Sequence, residues 1–418
     1  MQDAPQILRR LFDVAVSSCH PRAVVRETLP DRPQGRIVVV GAGKASAAMA
    51  AEVEAAWSGP LSGLVVTRYG HSAPTRHIEV VEARHPLPDE AGLLCASRAL
   101  GMVHGLHEND MVLALMSGGG SALWCAPLPP LTLLEKQSIT QALVLSGASI
   151  DEINCVRKHL SAIKGGRLAA AAYPAKVVTL AISDVASNDP SVIASGPTVA
   201  DHTRNRDAMH ILEKYRVPVS ATITALLGER ADETIQFGDP RLDRSTFRII
   251  ASSGDALAAA CDEAHRLGLD TKILGVNIEG NAKTVARAHA EIAQHQTLSS
   301  RPLLLLSGGE LTVQVQGQGH GGPNREYLLA LARGLNGAQG IWALAADTDG
   351  IDGSDGIAGG WIGPETLSRA QELGVDPAEH LRDNNSAAFF ETLGQQIETG
   401  PTRTNVNDFR AILLAPSV

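Results

Sequence analysis

A chain of 418 residues exceeds what a single hydrophobic core usually serves, so two domains are expected. A net charge of −9 with no offsetting basic run argues against a nucleic-acid partner, and five scattered cysteines without a CxxC pair suggest neither a disulfide framework nor a zinc site. No apolar run approaches the ~18 residues that would span a bilayer, and no basic start followed by an apolar stretch marks a leader. A soluble, cytoplasmic protein with no membrane partner is expected, its core built from Ala, Leu, Val and Ile because aromatics make up only 3%.

Short apolar strands alternate with helical stretches, the pattern of βαβ units around a parallel sheet. In chain order the strand candidates are Arg36–Val40, Leu64–Thr67, Met111–Leu115, Lys176–Ile182, Arg248–Ala251, Pro302–Leu306 and Ile341–Ala345. Thr132 with Glu135, and Ser149 with Glu152, read as capping boxes. Ser253 is expected to cap an Ala-rich helix running to about Leu267. The polar stretch Gly228–Ser245 is the expected boundary, giving domains of residues 1–240 and 246–418. Met111–Gly119 and Pro302–Gly309 both end an apolar run in Ser-Gly-Gly, which reads either as similar loops in the two halves or as convergence on a simple turn.

Ligands in open α/β sheets bind beyond the carboxyl ends of strands, and this chain spends glycine there. Gly41 and Gly43, in Gly41-Ala42-Gly43-Lys44-Ala45-Ser46, would let backbone N–H groups approach a phosphate. The spacing is not that of a Walker A loop. Lys44 is one of only 8 lysines among 36 basic residues, and at a helix start it opposes the helix dipole unless an anion arrives. Ser117-Gly118-Gly119-Gly120-Ser121 is a second anion cradle in prospect, and Ser307-Gly308-Gly309-Glu310 adds a carboxylate in a comparable place.

After the fourth strand candidate, Asp184, Asn188 and Asp189 could ligate hydrated Mg²⁺, orient a hydroxyl, or simply form Asx turns; Ser195-Gly196-Pro197 reads as a close-approach turn. Arg325 follows Gly317–Asn324 at another helix start, where a guanidinium suits a bidentate anion. Asp347, Asp349, Asp352 and Asp355 lie within nine positions, either an acidic turn or a Mg²⁺ site shared with nucleotide phosphates, with Asp347, Asp349 and Asp352 as ligands.

Together GAGKAS, MSGGGSAL, SDVASNDPSVIASGP, LSGGE, GHGGPNRE, ADTDGIDG and TGPTRTNVND resemble the glycerate 2-kinase family with a C-terminal MOFRL domain, whose members are often labelled hydroxypyruvate reductases. The resemblance spans most of the chain. It implies a Rossmann-like first domain, a second, smaller mixed α/β domain, and an active site in the cleft between them. It further implies transfer of the ATP γ-phosphoryl group to D-glycerate, giving 2-phosphoglycerate, with a divalent cation such as Mg²⁺. The family's essential lysine and arginine would fall on Lys44 and Arg325. In mechanism, Lys44 would neutralise charge on the transferring group, Gly118–Gly120 would cradle phosphate oxygens, Arg325 would clamp carboxylate or phosphoryl, and Asp189 would accept the hydroxyl proton. Related members carry TGPTGTNVND, where this chain has Arg403 in place of the second glycine.

Two other readings stay open. An NAD(P)H-dependent hydroxypyruvate reductase would use the near-GxGxxG turn and Arg68, but leaves Lys44 and the aspartate cluster without a role. A non-catalytic phosphometabolite-binding protein would use the cradles alone. A homodimer is kept open as the assembly.

Overall fold

The computed structural model describes residues 3–415 apart from 229–230, 298–299 and 354. Two residues of the expected boundary stretch, Glu229 and Arg230, lie outside the described residues. The chain divides into two compact units, one of residues Val24–Ile250 and one of Met1–Ala23 with Ala251–Val418.

The first unit is built on six strands, β1 (Ile37–Ala42), β2 (Ser62–Arg68), β3 (Ile78–Ala83), β4 (Met111–Met116), β5 (Lys176–Ile182) and β6 (Ser245–Ala251). They lie in the order β3-β2-β1-β4-β5-β6, and β1 to β5 pair in parallel. β1 and β4 are buried along their whole length. That is why IVVVGA and MVLALM carry no polar alternation: helices cover both faces of a parallel sheet. Chain order reverses between β1 and β4, so their carboxyl ends flank the crevice in which such sheets bind ligands. A separate helical core, with Leu143, Ile153, Val156, Leu212 and Ile223, packs within the same unit.

In the second unit β7 (Asp270–Gly275), β9 (Leu303–Gly309), β11 (Ile341–Asp347), β12 (Gly359–Ile362), β13 (Gln396–Ile397) and β14 (Asp408–Leu414) form a mixed sheet in the order β13-β12-β11-β14-β9-β7. β14 lies antiparallel to both β11 and β9, whereas β7 and β9 are parallel. β8 (Gly280–Asn281) and β10 (Leu311–Thr312) form a short ladder of their own.

Two boundaries differ from the sequence expectation. The N-terminal helix Ala4–Ser18 buries Leu8, Leu11, Phe12 and Ala15 and belongs with residues 251–418, with the Phe12 ring 5.8 Å from that of Phe409. An amphipathic face announces that it needs an apolar partner, but not which one. Residues 246–250, expected to open the second domain, lie in the edge strand of the first sheet, where Phe247 and Ile249 pack against its core.

Both capping boxes form. The Ala-rich helix is Ser253–Arg266 with Ser252 at the cap position, and the Ser253 hydroxyl donates instead to Val276 O at 3.1 Å. Among the described residues no helix is long and apolar enough to cross a membrane.

Candidate active site

In the first unit the loops leaving β1 and β4 are knitted together. Lys44 N–H donates to Gly118 O at 2.9 Å, Ser117 N–H to Ala42 O at 3.1 Å, and Ala45 N–H to the Ser117 hydroxyl at 2.9 Å. Gly43 is obligatory here. Its φ of 138° lies where side chains are disfavoured, and a Cβ would overlap both the hydroxyl and the carbonyl of Ser117. Ser117 is buried, and its hydroxyl oxygen ties the two loops rather than lining an open surface.

Beyond this knot the half-buried groups are Lys44, Gly119 and Ser121, each at or next to a helix start. The Lys44 stem and the His85 ring both border Gly119: a Cβ built there would lie 3.6 Å from Lys44 Cγ and 3.0 Å from the imidazole. Ser121 Oγ meets Ser195 Oγ at 2.8 Å, joining the turn Ile193–Gly196 to the β4 loop. In that turn Ala194, Ser195 and Gly196 all have positive φ, at 51°, 62° and 60°. Two consecutive non-glycine residues in this region store strain, which persists only where surroundings enforce it.

One enforcing group is Lys164, whose side chain is fully buried and whose ammonium donates to Ala194 O at 3.3 Å. Burial, with Lys136 nearby, depresses its pKa well below the ordinary lysine value. Lys164 and His85 escaped the sequence reading. A scarce lysine directly before Gly165-Gly166 was a usable signal for the first; nothing local marked the second.

The remaining candidates of this unit are local turn formers. Asp189 accepts Ser191 N–H at 2.8 Å and its own N–H donates to Ser187 Oγ, while Asn188 is exposed with φ 52°. These are Asx-turn contacts.

In the second unit the helix Pro323–Leu335 starts at Gly322, with proline in its first turn. Arg325 is fully buried and its anion comes from the fold. Asp352 accepts Asn324 N–H at 2.8 Å, Arg325 N–H at 3.0 Å and the Arg325 Nε–H at 3.0 Å. Asp355 takes both guanidinium ends, at 2.6 and 2.8 Å, and Nη2 also donates to Asp352 O at 2.7 Å. The Asp352 carboxylate thus caps a helix from a distant loop. Gly322 permits this approach, since a Cβ there would overlap that carboxylate.

The arrangement bears on two expectations. Arg325, expected to clamp a ligand, spends four of its five N–H donors on Asp352 and Asp355. Asp352, expected among metal ligands, is buried with both oxygens occupied by N–H donors. Burial pushes its carboxyl up to about 6 against the pull of Arg325. Burial also works against the Arg325 charge, but Asp355 and Asp352 outweigh it and hold that pKa above its ordinary value.

Of the other acids, Asp347 accepts Asp349 N–H at 2.9 Å and Asp349 accepts Ile351 N–H at 2.8 Å. Among the described residues no group of three or more His, Cys, Asp or Glu gathers as a metal cage would require. Asp408 receives Asn324 Nδ2 at 2.6 Å and Arg410 Nη1 at 2.8 Å, extending the buried network to β14; Glu310 is exposed. The two Ser-Gly-Gly segments are not structural equivalents. Ser117–Gly119 is a loop before a helix, whereas Ser307–Gly309 ends β9, paired with Asp408–Arg410. Arg403 has φ 61°, the left-handed conformation that favours the glycine it stands for.

Residues 7–228 match the model of a domain of unknown function, DUF4147, and residues 303–408 that of the MOFRL family. The D-glycerate 2-kinase of Thermotoga maritima is 39% identical, over 97% of this chain and 98% of that one. The chain belongs to the glycerate 2-kinase family with a C-terminal MOFRL domain. The crystal structure of a glycerate kinase from Thermotoga maritima superposes with a TM-score of 0.90 at 36% identity, covering 99% of this chain and all of that one. An Agrobacterium vitis protein, provisionally named a hydroxypyruvate reductase, is 50% identical over 98% of this chain and 94% of its own length. Both kinds of name therefore occur within one family.

Proposed function

We propose that this chain is a glycerate 2-kinase, transferring the γ-phosphoryl group of ATP to the 2-hydroxyl of D-glycerate. The observation that carries the reading is the hydrogen bond from the Lys44 backbone N–H to the Gly118 carbonyl at the sheet's reversal point, which holds an ammonium-bearing residue between two glycine loops at helix starts. Backbone N–H groups at such starts attract phosphate oxygens. Phosphoryl transfer needs positioning and charge neutralisation more than covalent chemistry.

In the proposed step the hydroxyl oxygen forms a bond to the γ-phosphorus as the bond to the β,γ-bridging oxygen breaks, and ADP leaves. Lys44 neutralises charge on the transferring group. The hydroxyl proton passes to a carboxylate, for which Asp189 is the candidate, since its Ser191 contact engages one of its two oxygens. Arg325 acts by holding the 347–356 loop in shape. A magnesium ion brought with the nucleotide would offset phosphate charge and needs only one or two protein carboxylates. Asp347 and Asp349 are the residues proposed to receive it, and Asp352 is withdrawn because its oxygens are taken. Five unpaired cysteines agree with a reducing, cytoplasmic setting.

The reductase name within the family favours a second reading, and one pair of assays separates them. Purified protein is given D-glycerate with Mg-ATP, and separately hydroxypyruvate with NADPH. ADP and 2-phosphoglycerate formation without NADPH oxidation is expected. NADPH loss on hydroxypyruvate without ADP formation on glycerate would overturn the kinase reading.

A further inference from the structure

We propose that a basic cavity of about 580 Å³ in the unit containing residues 251–418 is a binding site for a small polyanion carrying two or more phosphate or carboxylate groups. Its walls bring together Lys283 and Arg287 from the helix Ala282–Gln294, Arg333 from the helix Pro323–Leu335, and Arg382 from the helix Pro377–Arg382. Ala330 and Leu381 contribute apolar surface, and among the described residues no carboxylate lines the space.

Four cations around one cavity are not background in a chain of net charge −9. Lys283 is engaged by the fold, its ammonium donating to Leu381 O at 2.9 Å and lying 3.5 Å from Glu326. Arg287, Arg333 and Arg382 are exposed and, among the described residues, make no ion pair and no side-chain hydrogen bond. Helix dipoles account for part of this: Arg333 and Arg382 lie in the last turns of their helices, where cations are favoured. They do not account for Lys283, in the first turn of its helix, or for Arg287, in the middle.

Like charges lining one concave surface repel one another and focus a positive potential that an anion relieves. Guanidinium forks match phosphate and carboxylate oxygens in pairs. The volume falls within the roughly 300–1,000 Å³ of small-molecule sites. Arg333 stands eight residues along the helix from Arg325, about 12 Å away, so this site is distinct from the Asp352–Arg325–Asp355 network.

The test uses the full chain carrying Lys44→Ala, which removes the cation of the strand-end cradle. Isothermal titration with inorganic pyrophosphate should show one bound anion per chain. Adding Arg287→Gln and Arg333→Gln, both at exposed positions, should weaken it at least tenfold. A parallel titration with citrate identifies the preferred groups, tighter pyrophosphate binding assigning phosphates and tighter citrate binding carboxylates. In the unaltered chain, pyrophosphate should also shield Arg287 and Arg333 from phenylglyoxal, read by peptide mass mapping without any substitution. Absence of binding in the Lys44→Ala chain, equal affinity in the folded glutamine variant, or unshielded arginines at saturating pyrophosphate would overturn the proposal.

Discussion

The backbone amide of Lys44 donates to the carbonyl of Gly118 at 2.9 Å, joining the loop after β1 to the loop after β4. A lysine side chain can vary here while the backbone bond persists, so cradle and cation are separable by experiment. Lys44→Ala should lower kcat by a hundredfold or more, on the order of 3 kcal/mol of transition-state stabilisation. The thermal midpoint should stay within about 2 °C, as measured by calorimetry on the same preparation. Near-normal turnover in the folded variant would remove Lys44 from the chemistry.

Gly43→Ala attacks the same knot through the backbone. The positive φ and the overlap with Ser117 leave no relaxed conformation for a methyl group. Stability should fall by about 2 kcal/mol or more, read as a lower urea midpoint, with kcat falling alongside. An unchanged midpoint would mean that the two loops part at no cost.

Arg325→Lys tests a residue whose partners are internal. Lysine keeps the charge but loses the fork that engages Asp352 and Asp355. Breaking a buried pair of this kind costs about 3–5 kcal/mol, which at about 2–4 °C per kcal/mol lowers the thermal midpoint by roughly 6–20 °C. Activity should decline with the folded fraction and with disorder of the 347–356 loop. A variant that melts normally yet loses kcat or raises KM would return Arg325 to direct contact with the ligand.

Lys136 supplies a pH signature. It is fully buried with its ammonium on Leu160 O at 2.9 Å, and burial lowers its pKa from 10.5 to about 8. Between those values the unfolded chain binds the extra proton, so stability attributable to this group rises as pH goes from 8 to 10.5. The rise is on the order of 3 kcal/mol, at 1.36 kcal/mol per unit. Lys136→Met should flatten that part of the profile in urea melts taken across this range. Parallel profiles for the two proteins would show that the buried amine keeps its ordinary titration.

Much of the first unit was readable because its central parallel strands are buried on both faces and appear as apolar runs, in β1 and β4 leading into glycine turns. Met111–Met116 and Lys176–Ile182 stand where the runs suggested. β14 was missed, since Asp408 and Arg410 interrupt its pattern, although all seven residues are buried. Their charges are compatible with a central strand only because Arg410 pairs with Asp408, and Asp408 also receives Asn324. No local rule predicts partners 84 positions apart. β3, with intermediate and exposed positions at Glu79–Glu82, and the two-residue strands carry too weak a pattern to be read alone.

The sequence by itself determined the alternation of strands and helices, the glycine turns at the ends of β1 and β4, and the unusual placing of Lys44 and Arg325 at helix starts. Each of these is a local property, written within a few residues as periodicity, backbone freedom or charge against a dipole. Only the tertiary structure decided where a buried cation finds its anion. For Arg325 the answer is Asp352 and Asp355, some thirty residues away in sequence and in contact in space. The same folding buried Lys164 beneath the Ala194 turn and sent the N-terminal helix to the far end of the chain. Such pairings follow from burial, because a charge or an apolar face removed from water must find its partner wherever the packed chain brings one.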